Sequence, residues 1–171
     1  MKNIYSNIFP YNKKSLNKTI DSLKNAKIVA LPTETVYGIA GNAYSKKSIK
    51  KIYKLKKRPK INPLIVHFFN YKVAKNDVIL NENFFKLYKK FCPGPITFIL
   101  KKKIKSKIDT AVSANLKTIA VRFPSHKIVR LILKNINFPL AMPSANVSSN
   151  ISPISAEDVA DEFKKNIKLI L

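Results

Sequence analysis

Two hydrophobic periods take turns along this chain. Over residues 15–24, Leu16, Ile20 and Leu23 recur at helical spacing, and the apolar stretch ending at Leu31 has the length of a buried strand. Ser45 is placed to cap a second helix whose Ile49, Ile52, Tyr53 and Leu55 form one stripe. Residues 63–68 predict the next strand, and 81–90, with Phe84, Phe85, Leu87 and Tyr88, a further helix. A Cys-Pro-Gly-Pro turn leads into a strand at 96–100, with Gly94 expected to supply a positive φ between two prolines. A solvated lysine loop at 101–107, a strand at 118–123, a helix at 125–134 and a short strand at 139–142 follow. Ser155, with Asp158 three residues on, opens a last helix in the manner of a capping box, and 167–171 is a candidate closing strand. Strands alternating with helices predict an α/β fold: a twisted mixed β-sheet with flanking helices. No repeat or linker divides residues 1–171, so one domain is expected.

Composition sharpens this picture. Hydrophobic residues make up 46% of the chain, with ten Phe and seven Tyr, which is enough for a real core and argues against disorder. The single Cys92 excludes an internal disulfide, and with only His67 and His126 available no metal site is expected. Without a span of about 20 apolar residues or a leader-like apolar run at the start, neither membrane insertion nor secretion is expected, and a cytoplasmic protein is the default. The net charge of +24 points toward polyanions, yet Lys, Ile and Asn are abundant together, as codon bias in an AT-rich genome produces. Residues that resist that bias carry more information. The chain has three arginines (Arg58, Arg122 and Arg130) and three glycines (Gly38, Gly41 and Gly94).

Those scarce residues fall in a few polar stretches. In IVALPTETVYGIAG a buried strand runs into Thr33, Glu34 and Thr35, at the strand end where ligands gather in α/β sheets. The plainer reading is a turn with Thr33 or Thr35 capping a helix. In KLKKRPKINPLIVHF, Lys56 and Arg58 leave a helix end beside a strand. They are either dipole partners or a phosphate grip, for which the planar guanidinium is suited. Asn62 and His67 lie within the same stretch. TIAVRFP sets Thr118 and Arg122 on one face of a strand, where an arginine needs a partner or ligand. MPSANVSSNISP gathers Ser144, Asn146, Ser148, Ser149, Asn150 and Ser152 as a surface turn or a hydroxyl-and-amide cradle. Standard nucleotide-binding glycine loops are missing.

Taken in order, LPTETVYGIAG, KLKKRPKINPLIVHF, CPGPITFIL, TIAVRFP and PSANVSSNISP resemble the YrdC-like family of threonylcarbamoyl-AMP synthases over roughly residues 10–165. The resemblance implies a basic concave cleft in which L-threonine, bicarbonate and ATP become threonylcarbamoyl-AMP and pyrophosphate. This product supplies the tRNA threonylcarbamoyl-transfer complex that modifies the nucleoside beside the anticodon. It implies threonine held by Thr35, His67, Arg122 and the backbone near Met142. It also implies ATP held by Arg58, Asn62, Thr118, Ser144, Asn146 and Ser152, with Lys56 and Arg58 as the catalytic cations overhanging the cleft. Mg²⁺ is expected on the phosphates. Two departures follow from the same comparison. Ser148-Ser149 stands where the family has Ser-Gly, so a positive-φ position is expected to be shifted or lost. The family also continues past this terminus with a Ser-Thr motif and an Arg, whose absence predicts ATP binding with slow turnover. Two other readings stay open: a non-catalytic RNA-binding module and a carbamoyl-transfer domain of hydrogenase-maturation type, the latter disfavoured by the lone cysteine.

Overall fold

A computed structural model describes residues 5–171. The helix predicted from Leu16, Ile20 and Leu23 is α1 (Lys13–Lys24), begun by Asn12 in a reciprocal capping box with Ser15. Strand β1 (Val29–Leu31) follows, fully buried. Ser45 accepts from the Ser48 amide and starts α2 (Lys46–Lys56). Strand β3 (Ile65–His67), helix α4 (Glu82–Phe91), strands β4 (Thr97–Lys101) and β5 (Thr118–Arg122) and helix α5 (Lys127–Lys134) take the predicted order. Strand β6 (Leu140–Ala141) precedes α6 (Ala156–Phe163), whose Ser155–Asp158 capping box forms as expected.

Four elements have no clear sequence signal, one of them a 3₁₀ turn at Lys164–Asn166 after α6. Strand β2 (Gly38–Asn42) carries two glycines, which lower strand propensity. Helix α3 (Tyr71–Ala74) and a 3₁₀ turn at Thr110–Ser113 are too short for periodicity to mark. The candidate closing strand is reduced to bridges: Ala30 donates to Leu169 O (2.9 Å) and Leu171 donates to Ala30 O (3.1 Å).

The six strands form one mixed sheet in the order β1-β2-β6-β3-β5-β4, parallel only between β3 and β5. Each face builds its own core, as alternation along a strand requires. On one face Val66, Phe98 and Val121 pack under α2, α4 and α6 through Ile52, Phe84 and Phe163. On the other, Leu31 and Leu140 pack under α1 and α5 through Leu23, Val129 and Ile132. That second cover stops short. Register puts Leu140 opposite His67, His67 opposite Arg122 and Arg122 opposite Thr97, one row running out from under the helices. The row passes from buried His67 to the partly exposed Arg122 and Thr97.

Two glycines serve close approach. Gly94 has no positive φ, contrary to expectation; a Cβ there would lie 2.4 Å from the Phe91 carbonyl oxygen. At Gly38, where β2 bridges Ser144, a Cβ would meet Met142 Cγ at 2.5 Å, so any larger residue would force Met142 to move. The lysine loop is pinned more firmly than its composition suggests. Buried Asp77 accepts from Tyr44 Oη (2.7 Å), Ser106 Oγ (2.8 Å) and the Lys107 amide (3.0 Å). No described helix is long and apolar enough to cross a membrane.

Candidate active site

A cleft of about 230 Å³ opens where the sheet is uncovered. Four segments wall it. Thr33, Thr35 and Tyr37 come from the β1–β2 connection, and Arg58 and Pro63 from the loop after α2. Ile65, His67 and Arg122 come from the central strands, and Met142 and Ser144 from the chain leaving β6. Of the residues expected to serve the site, Thr35, Arg58, His67, Arg122, Met142 and Ser144 therefore meet in one cavity.

The threonine-rich turn is built around a hydroxyl rather than a helix cap. Thr33 Oγ1 accepts from the amides of Thr35 (3.1 Å) and Val36 (3.2 Å) and donates to Val36 O (2.6 Å). This turns the chain back into β2 and leaves Thr35 facing the cleft. Arg122 donates from Nε to Thr97 Oγ1 (3.0 Å) and makes a long contact from Nη1 to Thr35 Oγ1 (3.5 Å). Behind it lies Glu34, whose Oε1 is 4.0 Å from the same nitrogen. Oε1 is buried with no hydrogen-bond partner among the described residues, while Oε2 accepts from the His126 amide at 3.4 Å. Glu34 is marked in the sequence only as a polar residue at the strand end, without a role, and Tyr37 is not marked, although the PTETVY stretch contains both.

His67 is 2% exposed. Burial, reinforced by the Arg122 charge, pushes its imidazole down to about 3, with the Ile65 carbonyl pulling the other way. The ring is thus neutral, and its Nδ1 has no partner among the described residues. A buried, unpaired nitrogen beside a cavity is ready to meet a polar ligand group.

Lys56 and Arg58 part company. Arg58 reaches the cleft with its guanidinium braced on two backbone carbonyls, Nε to Asn62 O (3.1 Å) and Nη2 to Pro63 O (2.9 Å). Lys56 does not overhang anything. It is 1% exposed and its Nζ donates to Ser144 O (2.5 Å) and to Asn146 O, while its own carbonyl accepts from the Ser148 amide (2.9 Å). The helical stripe points Lys56 inward and lets Arg58, two residues on and past the αL residue Lys57, point out. Burial, with Arg58 adding to it and Glu162 opposing, lowers the Lys56 ammonium to about 8.

The remaining residues sit around the cavity. Asn146 is turned into its own loop, donating to Val147 O and Asn150 O (2.7 Å each). Glu162 Oε1 closes that loop from α6 by accepting from the Val147 amide (2.7 Å) and Asn150 Nδ2 (2.8 Å). Ser149 has φ 79°, so the expected loss of a positive-φ position does not occur; a serine occupies it. The side chain of Asn62 is exposed, and Ser152 lines a separate depression with Asp158 and Glu162. Thr118 shares the face of Arg122 but lies four residues, about 13 Å, along β5. Strand β3, central in the sheet, lines the cleft through Ile65 and His67.

The open-faced α/β sheet thus sets two arginines and a neutral histidine around one small cleft, and the comparisons place this arrangement in a family. A family model named Sua5/YciO/YrdC and described as "Telomere recombination" matches residues 21–171. The chain belongs to this family. It is 38% identical over 153 residues to the threonylcarbamoyl-AMP synthase of Pyrococcus abyssi, covering 87% of this chain and 44% of that protein. Against the threonylcarbamoyl-AMP synthase of Bacillus subtilis the values are 39% over 148 residues, with 85% and 42% covered. The crystal structure of P. abyssi Sua5 complexed with L-threonine superposes with TM-score 0.87 at 35% identity, over 95% of this chain and 48% of that one. The chain thus spans less than half the length of these relatives.

Two outcomes follow from the geometry. Lys56→Ala leaves two buried carbonyls without a donor and is expected to cost about 2 kcal/mol of unfolding free energy. Arg58→Ala removes bonds at a partly exposed position and is expected to cost less than about 1 kcal/mol. Urea denaturation of both variants checks this, and equal losses would contradict the division of labour between the two cations. His67 gives a pH signature. The unfolded chain binds its proton near 6.5 and the folded one only near 3, so stability falls as pH drops through that window. At about 1.4 kcal/mol per pH unit, His67→Gln is expected to spare roughly 2 kcal/mol of the loss between pH 6.5 and 5. Identical acid profiles for parent and variant would show the imidazole to be charged in the fold.

Proposed function

We propose that this chain forms the active site of a threonylcarbamoyl-AMP synthase, a nucleotidyltransferase that joins L-threonine, bicarbonate and ATP and releases pyrophosphate. The carrying observation is that Thr35, His67 and Arg122 share one cavity with Arg58 and Ser144. The names of the P. abyssi and B. subtilis relatives, and the threonine bound in the P. abyssi structure, support the same reading.

In this mechanism Arg122 pairs the α-carboxylate of threonine, and Thr35 and neutral His67 hydrogen-bond its polar groups. The threonine amine bonds to the bicarbonate carbon as water leaves, giving N-carboxythreonine, whose carbamate oxygen is the nucleophile and is already anionic, so no strong general base is needed for its attack. It attacks the α-phosphorus of ATP. The bond to the bridging oxygen breaks, and pyrophosphate leaves with the electron pair. The chain contributes position and charge: Arg58 and Ser144 hold the phosphates, and Arg58 stabilises the charge that develops on the leaving group. Lys56 and Asn146 act from behind by holding the Ser144 loop. A cavity of about 230 Å³ is below the range of roughly 300–1,000 Å³ typical of drug-sized ligands. The rest of ATP must then extend onto the open surface, toward Asn62, Thr118 and Ser152. No group of three His, Cys, Asp or Glu side chains among the described residues is placed to hold a metal ion, so Mg²⁺ would arrive on phosphate oxygens and water. The product would pass, in the cytoplasm, to the tRNA threonylcarbamoyl-transfer complex.

Pyrophosphate release with ATP, bicarbonate and single amino acids tests the reading. Threonine is expected to support release, and valine to be at least about 10²-fold poorer, because it leaves the hydroxyl partners unpaired. Arg58→Ala is expected to lower the threonine rate by roughly 10²-fold. Salt-dependent RNA binding without threonine-dependent pyrophosphate release would replace this reading with the RNA-binding one.

A further inference from the structure

The cleft must keep two anions apart, a carboxylate and a phosphate, with two guanidiniums that suit either equally well. What differs is the company each guanidinium keeps. Arg58 is braced on the neutral carbonyls of Asn62 and Pro63 and so presents its full charge. Arg122 has Glu34 Oε1 at 4.0 Å, with the Glu34 side chain only 13% exposed. No acidic residue lines the cavity itself among the described residues, so Glu34 is the carboxylate that sets the balance from behind.

We propose that Glu34 is a specificity-determining residue: it partly neutralises Arg122 so that phosphate is excluded there and the guanidinium is left for the amino acid. The inference rests on the reading above. Coulomb attraction scales with ligand charge, so a negative charge beside Arg122 weakens the hold on a phosphate dianion or polyphosphate in proportion to its charge. An amino-acid zwitterion has no net charge, and its ammonium end is favoured by the same carboxylate. The discrimination is therefore built by repulsion of the wrong ligand as well as attraction of the right one. Burial limits screening by salt. Oε1, lacking a hydrogen bond, is free to act through charge alone, whereas Oε2 has the structural duty of accepting from the His126 amide at the start of α5.

Glu34→Gln separates the two roles, because it keeps the acceptor for His126 and removes the charge. Threonine is titrated calorimetrically into parent and variant, with and without inorganic phosphate at constant ionic strength, and thermal melting confirms the fold. Phosphate is expected to change the parent's threonine Kd by less than about twofold and to raise that of Glu34→Gln about tenfold or more. A folded Gln variant as indifferent to phosphate as the parent overturns the proposal, as does a parent already sensitive to it. If Glu34→Gln does not fold, Glu34→Asp withdraws the charge by one methylene. An intermediate sensitivity is then expected, and none overturns the proposal. A parent that binds no threonine at all sinks the functional reading and this inference with it, whereas threonine binding indifferent to phosphate in both proteins sinks this inference alone.

Discussion

The cleft depends on one buried ammonium. Lys56 ties the end of α2 to the chain leaving β6 through the carbonyls of Ser144 and Asn146, and its own carbonyl receives the Ser148 amide. Those contacts cross about ninety residues of sequence, and they place Arg58 and Ser144 on one wall. A cation so deeply buried is costly unless acceptors meet it, and here two backbone carbonyls of the 144–150 loop do so. Asn146 and Glu162 close it from inside and from α6. The energy of that burial is spent on fixing a shape, with Ser149 held at a φ better suited to glycine.

Around this anchor the sheet supplies the floor. Strand alternation gives two faces, and α1 and α5 together are wide enough to cover only the β1-β2-β6 half of one of them. The row from Leu140 through His67 and Arg122 to Thr97 passes from core to open surface within a single line of side chains. Function appears where the cover ends. His67, at the boundary, is buried enough to stay neutral yet borders the cavity.

Charge in this protein is less uniform than +24 suggests. Two of the three arginines line the cleft, and the third, Arg130, stacks on Phe69 at 4.8 Å and donates to backbone carbonyls. The scarce carboxylates are also placed: Asp77 pins the lysine loop and Glu162 the serine loop. Codon bias toward lysine would not by itself organise a lysine loop around a buried carboxylate.

Local pattern was enough for much of the architecture. Periodicity and capping residues located α1, α2, α4, α5 and α6 and most strands, because those signals act over a few residues. The order of the motifs identified the family, and the PTET, KxR and SxN stretches each contributed to the cleft. What they could not reveal was direction. That Lys56 turns inward and Arg58 outward depends on where the carbonyls of Ser144 and Asn146 arrive, and a sequence does not display backbone acceptors from ninety residues away. Strand β2 was hidden because its glycines serve close packing, Gly38 against Met142 and Gly41 against Ile52 and Ser48, rather than strand propensity. The meeting of His67, Arg122 and Thr97 is a matter of ladder register, and register is decided only when the whole sheet assembles. The chain by itself determined its elements and its family; tertiary packing decided which polar side chains face the cleft and which hold it open.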